Sequence, residues 1–168
     1  MKTSWSMVSS LAISVVVVMA FSNCDQSTDA NKSSNDTIPS IRQGVYGYVE
    51  FWEGDFMPTV PSETSGGSIT PVERTIEIHT PTRFDAGNQV DYSAFYWKLF
   101  TPCIAKTSSN AKGFFQVELP PGFYSIFVIE NSLYYANGGD GQGYLCPVTV
   151  FKDSLSFVKL NITYKATF

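Results

Sequence analysis

The chain has 168 residues, of which 43% are hydrophobic, 15% aromatic and 15% charged, with a net charge of −4 and a pI near 4.9. That apolar content excludes a chain disordered throughout. The acidic balance excludes a nucleic-acid partner, because no basic stripe exists to neutralise phosphates, and it leaves no electrostatic grip on anionic lipid.

In chain order, Lys2 comes first, then an apolar run from Leu11 to Phe21, then Ser22-Asn23-Cys24. A charged start, a short apolar centre and small or polar residues are the plan of a secretory signal peptide. The run is about half the ~20 residues that a membrane-spanning helix needs. The cysteine after it resembles the lipobox of bacterial lipoproteins, although Phe21 and Asn23 depart from the usual Leu and Ala or Gly. The reading is a signal peptide over 1–23 and lipidation at Cys24, with attachment to the bacterial outer membrane on either face through acyl chains. Residues 25–40 are polar and without an apolar period, so 24–40 read as the lipidated cysteine and a flexible tether. Within it, Asp36-Thr37-Ile38 resembles a bacterial O-glycosylation acceptor, as does Asp153-Ser154-Leu155, which is more simply a turn.

With Cys24 taken by lipid, Cys103 and Cys146 remain as an even pair. In an exported protein such a pair suggests a disulfide. It would close a loop of about 43 residues and stabilise by about 3–4 kcal/mol. The alternative is two small buried residues that never meet.

From residue 41 to 168 short strands alternate with turns. Gly44–Trp52 predicts a first strand, and glycines and prolines make 53–71 a loop. Over 72–80, Val72, Arg74, Ile76 and Ile78 share one face and Glu73, Thr75, Glu77 and His79 the other, which predicts a half-buried strand with His79 toward solvent. Arg74 spoils the apolar face and is expected near an edge, its guanidinium reaching water. Residues 91–100 fit a short helix capped by Asp91 or a strand, with aromatic and branched content favouring the strand. Gly113–Leu119 and Phe123–Glu130 read as paired strands joined by Pro120-Pro121-Gly122, the second apolar on both faces and therefore central. The glycine-rich segment 137–143 is a loop. Strands over 144–151 and 155–164 close the chain, with Val158, Leu160, Ile162 and Tyr164 inward. About seven strands and no long helix predict an all-β fold, a single β-sandwich.

The stretch Thr107–Glu130, with Gly113-Phe114-Phe115 and then Val117-Glu118-Leu119-Pro120-Pro121-Gly122-Phe123-Tyr124-Ser125, resembles the carboxypeptidase regulatory-like domain. Gly44–Val49 and Pro71-Val72 look like that family's first strand and the start of its second. The resemblance implies a prealbumin-like (transthyretin-like) Greek-key sandwich and an accessory or binding role beside peptidases, transporters or glycan-handling proteins. The long 53–71 loop and the aromatic 92–100 segment depart from the family pattern. Gly113 is expected to supply a positive φ, and the Tyr124 hydroxyl to reach a loop backbone while its ring packs.

No residue cluster names a reaction, so the chain reads as a binding or accessory module for a protein or glycan partner, without cofactor or metal. A hydrolase using His79 with a nearby serine or carboxylate is the enzyme alternative, although no Gly-x-Ser-x-Gly elbow is present. A structural envelope component is the third. Asp140 offers the one carboxylate of a weak cation loop over 137–143, too few for tight binding. Flat rings at strand ends and in loops are the best candidates for contacting a ligand: Trp52, Phe56, Tyr96, Trp97, Tyr134 and Tyr135, with Tyr92 and Tyr144 beside them.

Overall fold

A computed structural model describes residues 37–58 and 66–168. The leader over 1–23, Cys24 and most of the tether lie outside the described residues. The fold is all-β. Seven strands have five residues or more: β1 (Gly44–Asp55), β3 (Thr75–His79), β5 (Phe95–Leu99), β6 (Cys103–Ser108), β7 (Phe114–Glu118), β8 (Gly122–Glu130) and β11 (Leu155–Thr167). Four shorter ones sit among them: β2 (Ser68–Pro71), β4 (Gly87–Gln89), β9 (Leu133–Tyr135) and β10 (Pro147–Val150). Among the described residues no helix is long and apolar enough to cross a membrane.

Two sheets form the sandwich. In the smaller, β1 is central. It pairs in parallel with β11 from Gly44↔Leu155 to Asp55↔Thr167, and antiparallel with β7 and then β2 along its other edge. The larger sheet runs β4-β5-β9-β8-β3-β6, with β10 continuing the β9 edge of β8. The 91–100 segment resolves as a turn followed by strand β5, so the aromatic content prevailed over the capping residue.

The central position expected of 123–130 holds, since β8 is flanked by β3 on one side and by β9 and β10 on the other. Its expected partner is different. β7 belongs to the smaller sheet and β8 to the larger, so Pro120-Pro121-Gly122 carries the chain between layers and closes no hairpin. Two φ-restricted prolines without N–H groups suit a crossover, where no ladder bond is available to lose. Tyr124 fastens it: the ring is buried and the hydroxyl donates to the Pro120 carbonyl at 3.0 Å. Gly113, at φ 74°, makes the preceding crossover, and a Cβ there would lie 2.5 Å from the Val49 carbonyl oxygen.

Between the sheets lies the main core, built from Val45, Val49, Phe115, Ile162, Ile76, Ile78, Ile126 and Val128 with their neighbours. Val158 and Leu160 pack against it as the alternation of β11 predicts. Tyr164 joins Phe51, Phe95 and Tyr135 in a ring cluster with centroids 5.0–6.0 Å apart. Strand alternation sends Phe127 to the opposite face of β8. There it joins a second core with Tyr96, Leu99, Ala136 and Leu145. This outer face of the larger sheet is roofed by the irregular segments 80–86, 90–94 and 136–146, which flank the edge strand β4 and follow β9.

Strand β11 ends the smaller sheet, and part of its free edge is covered by side chains. The Tyr135 hydroxyl accepts from Thr163 N at 2.9 Å, and Asn137 Nδ2 donates to the Asn161 carbonyl at 2.9 Å. Such caps block pairing with another chain at those positions. Residues before 41 also touch the smaller sheet: the Thr37 carbonyl accepts from Tyr48 Oη at 3.2 Å, and Ser40 N donates to Gln116 Oε1 at 2.8 Å.

Candidate ligand-binding groove

The sequence-predicted residues fall into distinct environments. His79 is buried, 3% exposed, contrary to the solvent-facing expectation. The roof over the outer face covers it, which periodicity within one strand cannot reveal. Its ring meets Phe127 and Tyr134 edge-on, Nδ1 lies 2.9 Å from the Thr101 carbonyl, and Nε2 lies 3.4 Å from Glu77 Oε2. Glu77 also meets Lys106 Nζ at 3.3 Å. The His79 hydrogen bond, with help from Lys106 and against desolvation, holds the Glu77 carboxyl below its usual range. Glu77, His79 and Cys103 could in principle gather a metal. Here the carboxylate and both ring nitrogens are already hydrogen-bonded, and Cys103 is engaged too.

Arg74 reaches the surface as expected, yet its guanidinium also pairs with the buried Glu130. Glu130 in turn accepts from the Tyr164 hydroxyl at 3.1 Å.

The expected Cys103–Cys146 bridge is not formed, and Cys146 is a free thiol. Cys103 pairs with His79, His79 with Ser125, and Ser125 with Pro147, the neighbour of Cys146. Three strand spacings separate them, about 14 Å, twice the reach of a disulfide. Burial pushes the Cys146 thiol up from its ordinary range.

The candidate aromatics divide. Tyr96 and Tyr135, 2% and 3% exposed, are core residues, and Tyr134 packs on His79. Trp52, Phe56 and Phe168 stack on one another, centroids 5.1–6.1 Å apart, and so cover much of their own surface. Trp97 is exposed on β5. The rings that frame a concavity are Phe84, Tyr92 and Tyr144.

That concavity is an open trough of about 560 Å³ over the outer face of the larger sheet. Its floor is the second core, Tyr96, Ala136 and Leu145. One wall is the turn Val90–Ser93, where Ser93 N donates to the Val90 carbonyl at 2.8 Å and the two central residues, Asp91 and Tyr92, have φ of 42° and 56°. Two consecutive positive φ values define a type I′ turn, a geometry that favours Gly or Asn. Gln89 Nε2, donating to the Ser93 carbonyl at 2.7 Å, and Ser93 Oγ, bonded to Val90 O at 2.5 Å, hold it there. Tyr92 is thereby presented 97% exposed.

The opposite wall is the glycine-rich loop. Asp140, the weak cation candidate, uses Oδ1 to accept from Gln142 N at 2.8 Å and Tyr144 N at 3.1 Å, so its carboxylate shapes the loop. Residues 82–84 run beside 143–145, with Leu145 N bonded to Thr82 O at 2.8 Å and Phe84 N to Gly143 O at 3.0 Å. The Tyr144 ring is fixed by the Arg83 guanidinium at 5.4 Å and by Phe123 edge-on at 5.2 Å. Phe84, 57% exposed, completes the frame.

Sequence reasoning singled out Tyr92, Tyr144 and the glycine loop but did not bring them together, and it missed Phe84. The Val90-Asp91-Tyr92-Ser93 turn carries no glycine or asparagine to announce it. No family model matches the chain, and no curated protein or solved structure is significantly similar to it.

Proposed function

We propose that this chain is a binding or accessory module of the bacterial cell envelope, anchored through lipid on Cys24, that presents the trough between the Tyr92 turn and the glycine loop to a protein or glycan partner. The observation that carries the reading is Tyr92. A bulky residue in the left-handed region costs about 1–2 kcal/mol, and a ring 97% exposed gains little packing to offset it. Strain held at an exposed, concave place is characteristic of ligand sites. The resemblance to carboxypeptidase regulatory-like domains supports the same reading, because such modules accompany other proteins and carry no reaction of their own.

The test compares the wild-type chain with a Phe84→Ala/Tyr92→Ala variant, each immobilised and exposed to an envelope fraction, with bound sugar and bound protein both quantified. Wild type should retain material that the variant loses, while circular dichroism and melting stay alike. Identical retention by the two chains overturns the reading. Anchoring is tested separately by mass spectrometry of the N-terminal peptide of the mature protein, which should carry a diacylglycerol adduct on Cys24. A Cys24 peptide found unmodified, or released only by reduction, overturns that part.

A further inference from the structure

Resting on the reading of the trough as a binding site, we infer that its ligand is a neutral polysaccharide, lying along the trough with the apolar faces of its sugar rings on Tyr92 and Phe84. Among the described residues the lining contains no charged side chain. Arg83, beside Gly143, is turned to the Tyr144 ring, the Gln142 carbonyl and Asp85, and it is not part of the lining. Asp91 and Asp140, at the tips of the two walls, together with the net charge of −4, disfavour a polyanion. No carboxylate lines the trough to pair a cation either, and Asp140 spends Oδ1 on its own loop, so an uncharged ligand fits the lining best.

The lining chemistry then separates sugars from peptides. Exposed aromatic faces carry a negative π quadrupole that attracts the weakly positive C–H face of a pyranose. Gln89, Ser93 and Asn137 supply neutral amide and hydroxyl groups along the same surface, the partners that sugar hydroxyls need. Gly138, Gly139, Gly141 and Gly143 put four residues without side chains into the loop wall, so a chain of rings can lie close at those points. An extended peptide would instead seek a free ladder of backbone groups. Here the Gly138 carbonyl is taken by Cys146 N, Gly143 O by Phe84 N, Ala94 O by Ala136 N and Val90 O by Ser93 N, and Gly139 bridges Leu145. A trough left open by the described residues suits an internal stretch of a long chain. Its volume lies within the range of about 300–1,000 Å³ usual for ligand sites.

The experiment is native affinity electrophoresis of the full chain through gels containing a β-glucan, an α-glucan, a xylan or a mannan, with polygalacturonate as the charged control. At least one neutral polymer should retard the protein. Tyr92→Ala and Phe84→Ala should each weaken that retardation about tenfold or more, Tyr92→Trp should preserve it, and polygalacturonate should have no effect. No retardation by any neutral polymer, stronger retardation by polygalacturonate, or retardation that Tyr92→Ala leaves intact overturns the inference. Failure here is distinguishable from failure of the binding-module reading. If the envelope material lost by the trough variant is protein alone, the glycan assignment falls and the module stands; if wild type and variant retain the same material, both fall.

Discussion

The larger sheet is buried on both faces, but by different means. Its inner face presents Ile76, Ile78, Ile126 and Val128 to a second sheet, and the covering elements are themselves laddered strands. Its outer face presents His79, Tyr96 and Phe127 to segments 80–86, 90–94 and 136–146, which are held by turn and loop hydrogen bonds and two isolated bridges in place of a continuous ladder. A sheet covering a sheet closes completely, whereas a roof of irregular chain leaves a trough. The inner face therefore sets global stability, and the outer face can hold a site without weakening the fold.

Truncation in the two layers tests that division and gives the largest expected effects. Phe115, 1% exposed between the sheets, should cost about 3–5 kcal/mol as Phe115→Ala. Leu145→Ala, under the roof, should cost about 2 kcal/mol, the low end for its type, because loops can settle into the space. Denaturant unfolding measures both. Hydrogen exchange in Leu145→Ala should rise in 80–94 and 136–146 and remain slow in β1, β3 and β8. Uniformly faster exchange would merge the two layers into one unit.

Tyr135 joins the layers, and its hydroxyl guards the edge of β11. Tyr135→Phe leaves Thr163 N without its acceptor and should cost about 1–2 kcal/mol. Analytical ultracentrifugation should also detect more self-association than in wild type, because an edge N–H is uncovered. Unchanged stability and unchanged sedimentation would show that this hydroxyl neither holds the layers together nor protects the edge.

The same division explains what the sequence revealed. Inner-face residues obey period two, so the strand of Ile76 and Ile78, the centrality of 123–130 and the inward Val158, Leu160 and Ile162 on β11 were legible, whereas Tyr164, expected with them, is 38% exposed near the end of the strand. The pairing of 114–118 was not, because two prolines and a glycine are equally compatible with a hairpin and a crossover. His79 was misplaced for a related reason: alternation tells which face a residue occupies, and only long-range packing tells whether that face is covered. The trough is assembled from segments about fifty residues apart, so its aromatics were individually visible and collectively hidden. Tyr96 and Tyr135 illustrate the cost, since composition alone could not distinguish a floor from a wall.

Glu77 lies beneath the roof with His79 and Lys106, and its acidity gives a smaller, pH-resolved test. Its carboxyl titrates lower in the fold than in the unfolded chain, chiefly through His79. The stabilisation is therefore full above the unfolded value of 4.5 and is lost as pH falls through the folded value. Because Lys106 is half-exposed, Glu77→Gln should cost only about 1 kcal/mol at pH 7. The difference from wild type should shrink as pH falls below 4.5 and through the lower folded value. A gap that stays constant over that window would mean that packing, and not charge, is what the substitution removes.

The smallest effect runs in the opposite direction and bears most directly on function. Tyr92 has φ of 56° in a type I′ turn and is almost entirely exposed, so Tyr92→Gly relieves strain while removing few contacts. Glycine also enlarges the freedom of the unfolded chain, which offsets part of the gain. A net stabilisation of about 0.5–1 kcal/mol is expected, read as a rise in the denaturation midpoint at constant m value. The same variant should lose retention by whatever the trough binds. Higher stability combined with lost binding would mark Tyr92 as a residue kept in an unfavourable conformation for its ligand. Lower stability would mean that the ring supports the turn itself, and the contrast between a stabilising inner face and a ligand-serving outer face would fail at its most exposed point.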